Sequence, residues 1–216
     1  MKKENSKKQL SFSTITFLDI KKVVTIRQTV EDEPFADWFE TPTQYDKEDV
    51  ECMEKLIKKH RNSLASYLGE ELKMKFISTI LNRIDFTFDT VKDWYERPIK
   101  TVINGWQIGG ITDFLVATGD KEPETPFFFI QEFKPTTGST PDDQVLAQML
   151  VALELNRLPL IRGGFIMGQS WKFAILEKKE DDSFHFYTSM SFDSLKLDEL
   201  VLIYKHLKTV KEKFCH

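Results

Sequence analysis

The chain has 216 residues and a formal net charge of −4, with 41% hydrophobic and 30% charged residues. That balance excludes a disordered chain and fits one globular domain of ordinary size. No apolar run approaches the roughly 20 residues of a membrane helix, and no apolar core follows the basic start "MKKENSKKQL", so neither a membrane partner nor a signal peptide is expected. The acidic balance gives no general pull toward nucleic acid. Lysine groups (Lys2, Lys3, Lys7 and Lys8; residues 55–61; Lys205, Lys208, Lys211 and Lys213) read as solvated faces or tails. Cys52 and Cys215 are too far apart in sequence to suggest a disulfide framework, so a cytoplasmic location is expected.

In chain order, residues 1–46 read as an irregular N-terminal extension with one strand, "KKVVTIRQTV". Residues 47–216 read as a single domain. Val50, Met53, Ile57 and Leu64 recur at helical spacing from Lys47 to about Ser63, and Gly69 then interrupts. A second helix runs to Ile84, with Leu72, Phe76, Ile80 and Ile84 four apart. A strand from about Arg97 to Ile103 meets Asn104-Gly105, the strongest two-residue hairpin signal. The return strand, "WQIGGITDFLVAT", is expected to bulge at Gly109-Gly110. The next strand, "PFFFIQEFK", opens apolar and ends charged.

After the loop "PTTGST", Thr140 suits an N-cap, Pro141 the first helical position, and Asp142 and Asp143 the positive end of the dipole. The helix at roughly 141–156 is apolar on most sides, which predicts burial on more than one. "IRGGFIMG" reads as a strand, "WKFAILEKK" and "SFHFYTS" as a hairpin, and about Leu195–Phe214 as a terminal helix. The order α, β-β-β, α, β predicts an α/β fold on a mixed central sheet, with an extra C-terminal hairpin and helix.

Charge is out of place at two points. Asp113 lies inside the apolar run "GGITDFLVA", and Glu132 and Lys134 share one face at the end of the next strand. An ionised group there is costly unless it is paired, hydrogen-bonded or metal-bound. If the two strands are neighbours, Asp113 and Glu132 approach each other, and a divalent cation relieves their repulsion. Hard oxygen ligands with room for water suit Mg²⁺. The four histidines, His60, His185, His206 and His216, lack partners at zinc spacing and read as surface or core residues. Most of Trp38, Trp94, Trp106 and Trp171 are expected in the core.

Asp113, followed by Glu132-Phe133-Lys134 in this element order, resembles the PD-(D/E)XK nuclease superfamily over about residues 63–170. Glu132-x-Lys134 stands for the (D/E)XK element and Asp113 for the first acid. Thr112 occupies the place of the proline in the motif's name, which members commonly lack. The resemblance implies a restriction-endonuclease-like core and a metal-dependent nuclease. Its Mg²⁺, with Mn²⁺ as a substitute, would be held by Asp113, Glu132 and the backbone carbonyl of Phe133, with Lys134 as the catalytic amine. It further implies a helical glutamate, Glu70 or Glu71, as an additional metal ligand. Gln144 matches the glutamine after the lysine strand, and Gln148, one turn on, is a possible substrate contact. DNA is favoured over RNA as the substrate, and a homodimer is compatible with cutting both strands. The alternative is an inactive module of the same fold that binds nucleic acid or a protein partner.

Overall fold

The computed structural model describes residues 8–135 and 140–215. Lys2, Lys3, Lys7, His216 and the centre of the loop "PTTGST" lie outside them. The predicted order is present. After α3 (Lys47–His60), a helix in three pieces follows: α4 (Gly69–Leu72), a π-helical turn (Lys73–Ile77) and α5 (Ser78–Ile84). Then come β3 (Val91–Ile103), β4 (Trp106–Thr118) and β5 (Glu124–Lys134), the helix α6 (Pro141–Asn156) and β6 (Leu160–Met167). The described chain closes with β7 (Ser170–Lys178), β8 (Phe184–Thr188), the short β9 (Phe192–Asp193) and α7 (Leu197–Thr209), which widens into a π-helical turn over Val210–Phe214. Among the described residues, no helix is long and apolar enough to cross a membrane.

The N-terminal reading needs correction. Residues before 47 are not an irregular extension. They form β1 (Lys8–Ser11), α1 (Phe17–Val23), β2 (Ile26–Val30) and a short α2 (Ala36–Phe39), and both strands join the main sheet. The expected strand "KKVVTIRQTV" is a strand in its second half, Ile26–Val30, while its first three residues, Lys21–Val23, close α1. Thr16 caps α1 reciprocally with Asp19, which fixes where that helix starts.

Among the described residues, nine strands form one mixed sheet in the order β1-β4-β5-β6-β7-β8-β2, with β3 on the other edge of β4 and β9 on β7. The pairs β1–β4, β5–β6 and β2–β8 are parallel, and the rest are antiparallel. Side chains alternate, so each strand feeds two cores. Phe114, Val116, Phe129 and Phe133 face α3, α5 and α7. Leu115, Ala117 and Ile130 face α6 and α1.

Because α6 is apolar on most sides, one sheet face cannot satisfy it. Phe12, Ile15, Ile20 and Val23 of the N-terminal segment share its core, and each such buried side chain contributes about 1.5–3 kcal/mol. On its inner side α6 lies very close to β6: a Cβ on Gly163 would stand 2.7 Å from the Ile130 carbonyl oxygen and 2.8 Å from Met149 Sδ. Glycine thus sets the height of α6 above the sheet, and with it the reach of α6 side chains.

Other local expectations divide. Asn104 (φ 48°) and Gly105 (φ 81°) make the predicted turn. Pro141 opens α6, but the Thr140 side chain makes no capping bond. The bulge is not at Gly109-Gly110, where β3–β4 pairing is continuous; it lies against β5, at Val116–Thr118. The two glycines serve close approach instead, since a Cβ on Gly110 would stand 2.9 Å from the Phe12 ring. Lys205, Lys211 and Lys213 reach backbone carbonyls of Phe39, Ile84 and Asp37, so the C-terminal lysines are partly tethers between elements. Trp38, Trp94 and Trp171 are buried as expected, and Cys52 and Cys215 are free thiols.

Candidate functional site

The edge of β4 away from β3 is shared by two strands. Parallel β1 pairs with it through Gly109, and antiparallel β5 begins at the pair Phe114–Gln131. Asp113 stands in the gap between them, and its side chain takes over from the ladder: Asp113 Oδ2 accepts the Phe133 N–H at 2.9 Å. The neighbouring carbonyl of Lys134 accepts the Gly168 N–H on the β6 side at 3.0 Å. Successive residues of a strand point their carbonyls to opposite edges, so the Phe133 carbonyl faces the Asp113 side.

Glu132 lies across from Asp113, beyond the last ladder pair, on the α6 face. It is 3% exposed. Its Oε1 forms a close ion pair with Lys134 Nζ, and its Oε2 accepts Gln148 Nε2 at 2.7 Å. Lys134 Nζ also stands 4.0 Å from Asp113 Oδ2, so one ammonium faces both acids. Burial first, and then the charge of Asp113, push the Glu132 carboxyl up to about 7; Lys134 and Gln148 only partly offset this. Gln148 Oε1 is buried without a hydrogen-bond partner among the described residues.

A second cation, absent from the sequence reading, completes the cluster. Lys73 Nζ reaches Asp113 Oδ1 at 2.9 Å and Glu96 Oε1 at 2.7 Å. Burial alone lowers a lysine pKa, but its bonds to Glu96 and Asp113 outweigh that and hold Lys73 above its usual value. Tyr95 pairs with Phe114 and Arg97 with Thr112, which sets Glu96 across from Asp113 on β3. Glu96 adopts φ 52°, a left-handed conformation that costs on the order of 1 kcal/mol for a residue with a Cβ. No apolar periodicity marks Lys73. The only local sign is structural, the wide π-helical turn that it opens, a feature frequent at functional sites.

The structure brings together Asp113, Glu132, Phe133, Lys134 and Gln148. It does not bring in the others. Gln144 Nε2 turns to the Ser13 carbonyl at 3.4 Å, so the segment that covers α6 takes it out of the site. Of the two glutamates, Glu71 binds Lys75 at 2.8 Å and the Leu68 N–H at 3.4 Å. Glu70 has 82% of its side chain exposed and meets only the rim, 3.5 Å from Lys73. Neither reaches the acid pair, because the start of α4 points them outward. Among the described residues no three His, Cys, Asp or Glu side chains gather as a metal cluster.

The donor set nevertheless suits one hard cation. Two carboxylates and a carbonyl offer oxygen ligands and leave positions for water, the usual arrangement for Mg²⁺. Burial and the Asp113 charge raise the Glu132 carboxyl, and a divalent ion would favour its charged form. The hollow of about 540 Å³ lined by Lys55, Lys59, His60 and Arg83 contains none of these residues. The sequence matches no protein-family model and no curated protein, so the geometry of this cluster carries the functional reading.

Proposed function

We propose that the chain is a metal-dependent nuclease with a restriction-endonuclease-like core, hydrolysing phosphodiester bonds in DNA in preference to RNA. The observation that carries this reading is the meeting of Asp113, Glu132 and Lys134 at the β4–β5 junction, with Glu132 buried beside a like charge. Asp113, Glu132 and the Phe133 carbonyl would hold Mg²⁺, or Mn²⁺ in its place. When bound, the ion supplies Lewis acidity toward the scissile phosphate and lowers the pKa of a water. Lys134 positions the attacking water through its N–H groups and offsets charge gathering on the phosphoryl oxygens. Gln148 fixes the rotamer of Glu132 through Oε2. A homodimer would supply one such site per strand of a duplex, and the free thiols suit a reducing cytoplasm.

One observation favours a second reading. Lys73 pairs with Asp113 and Lys134 with Glu132, as in a structural ion-pair cluster of an inactive binding module. Incubation of plasmid and single-stranded DNA with Mg²⁺ or Mn²⁺ separates the two. Cleavage by the wild type and its loss in Asp113→Ala and Lys134→Ala supports the nuclease. Cleavage that persists in both variants rejects the assignment, and no cleavage together with no calorimetric metal binding favours the module.

A further inference from the structure

The contacts of Asp113 carry one more step, which rests on the metal-site reading above. Its two oxygens are held differently. Oδ2 accepts the Phe133 N–H at 2.9 Å, a backbone donor fixed by the strand. Oδ1 accepts Lys73 Nζ at 2.9 Å, an ammonium on a flexible four-carbon stem. A cation seeking Asp113 therefore meets one oxygen whose partner cannot move and one whose partner can. Lys73 also has somewhere to go. Glu96 Oε1 is 2.7 Å away and Glu70 Oε1 3.5 Å away, and both carboxylates face solvent, with 58% and 82% of their side chains exposed.

We propose that Lys73 is a resident counter-ion that competes with the divalent cation for Asp113 Oδ1, and that Glu96 is the partner that retains Lys73 when it is displaced. Without the divalent ion, Lys73 keeps Asp113 from facing Glu132 uncompensated. With the ion, two positive charges replace one, and the ammonium stays on the rim beside Glu96. The left-handed backbone at Glu96, directly across from Asp113, places that carboxylate within reach of the ammonium. Lys73 is thus a positioning residue that sets the affinity of the site.

Calorimetric titration of the full chain with Mn²⁺ alone tests this. Removal of the competitor in Lys73→Met is expected to tighten Mn²⁺ binding about tenfold, the worth of one charge-assisted hydrogen bond. Structural damage would weaken binding, so the sign separates the two. Lys75→Met removes the same charge from a lysine that pairs with Glu71 and is expected to change affinity less than about twofold, the scale of screened charge at a distance. Glu96→Gln removes the charge of a mostly exposed side chain and is expected to weaken Mn²⁺ binding roughly threefold, because Lys73 then rests on Asp113 more fully. Unchanged or weaker binding by Lys73→Met beside a wild type that binds, equal tightening by Lys75→Met, or no effect of Glu96→Gln would each overturn the competition while leaving the metal site intact. Absence of Mn²⁺ binding by every form would overturn both.

Discussion

Two carboxylates in this fold are almost equally buried and are treated in opposite ways. Asp49, 5% exposed, sits between α3, α5 and α7: Oδ1 accepts Arg83 Nε at 2.7 Å and the Tyr204 hydroxyl at 3.0 Å, and Oδ2 accepts the Asp46 N–H at 3.2 Å. Burial pushes its carboxyl up, but Arg83, the Asp46 backbone and Tyr204 outweigh it, and the group sits below its ordinary value. Glu132, 3% exposed, has a lysine and a glutamine but faces a second carboxylate, and is pushed up to about 7. Burial is the largest influence on both and raises both; the donors around Asp49 outweigh it, whereas at Glu132 the Asp113 charge adds to it and Lys134 and Gln148 only partly offset the sum. Asp49 is fully supplied by donors of its own fold and ties three helices. Glu132 is kept beside a like charge that a stability optimum would have removed, and such local conflicts concentrate at functional sites.

The comparison breaks most sharply in activity. Asp113→Ala and Lys134→Ala are expected to lower DNA cleavage by at least about 10²-fold, the scale of losing one electrostatic contributor to catalysis. Asp49→Ala should leave cleavage per folded molecule near wild type. The reverse holds for stability. Asp49→Ala leaves the buried Tyr204 hydroxyl unpaired and Arg83 with only Asp46 and Glu48, each 3.9 Å away, and should cost about 1–3 kcal/mol in urea unfolding. If Asp49→Ala abolishes cleavage at full stability, the division between tie and site is wrong. Gln148→Ala is expected to cost about tenfold in cleavage, and Gln144→Ala less, since only Gln148 touches Glu132.

How far these residues could be read from sequence follows from the range of the forces that place them. The acid pair and Lys134 were legible because strand alternation and a four-residue apolar run are local. The turn at Asn104-Gly105 and the start of α6 at Pro141 were legible for the same reason. The choice between Gln144 and Gln148 was not. It depends on how α6 is rotated, which Gly163 beneath it and the Ser13 carbonyl above it decide. Lys73 was hidden more deeply. Its role exists only once a helix from residues 69–84 lies at the mouth of β4, across 40 residues of sequence from Asp113. Of the N-terminal strands β2 was legible in part, but β1 and the joining of both to the main sheet were not, because four or five residues carry little periodicity and their parallel partners, β4 and β8, lie far along the chain.

The pH dependence of stability is the most direct measure of the Glu132 environment. A carboxyl raised from its ordinary value of 4.5 to about 7 on folding binds its proton more tightly in the folded state. Its contribution to stability is fully present below pH 4.5, falls as pH rises between the two values, and is lost above about 7. His206 runs the other way: burial lowers its pKa to about 3, so its stabilising contribution is present above its ordinary 6.5 and is lost as pH falls toward 3. The two trends overlap and partly cancel in the wild type, so a single stability curve would conceal both. The difference between wild type and Glu132→Gln at each pH removes the His206 contribution. That difference should move in favour of the variant by roughly 2–3 kcal/mol between pH 5 and pH 8 in metal-free buffer, at 1.36 kcal/mol for each pKa unit. Urea unfolding at four or five pH values measures it. A difference that does not vary with pH would mean that Glu132 titrates as an ordinary carboxylate, and the contrast with Asp49 would be one of geometry alone.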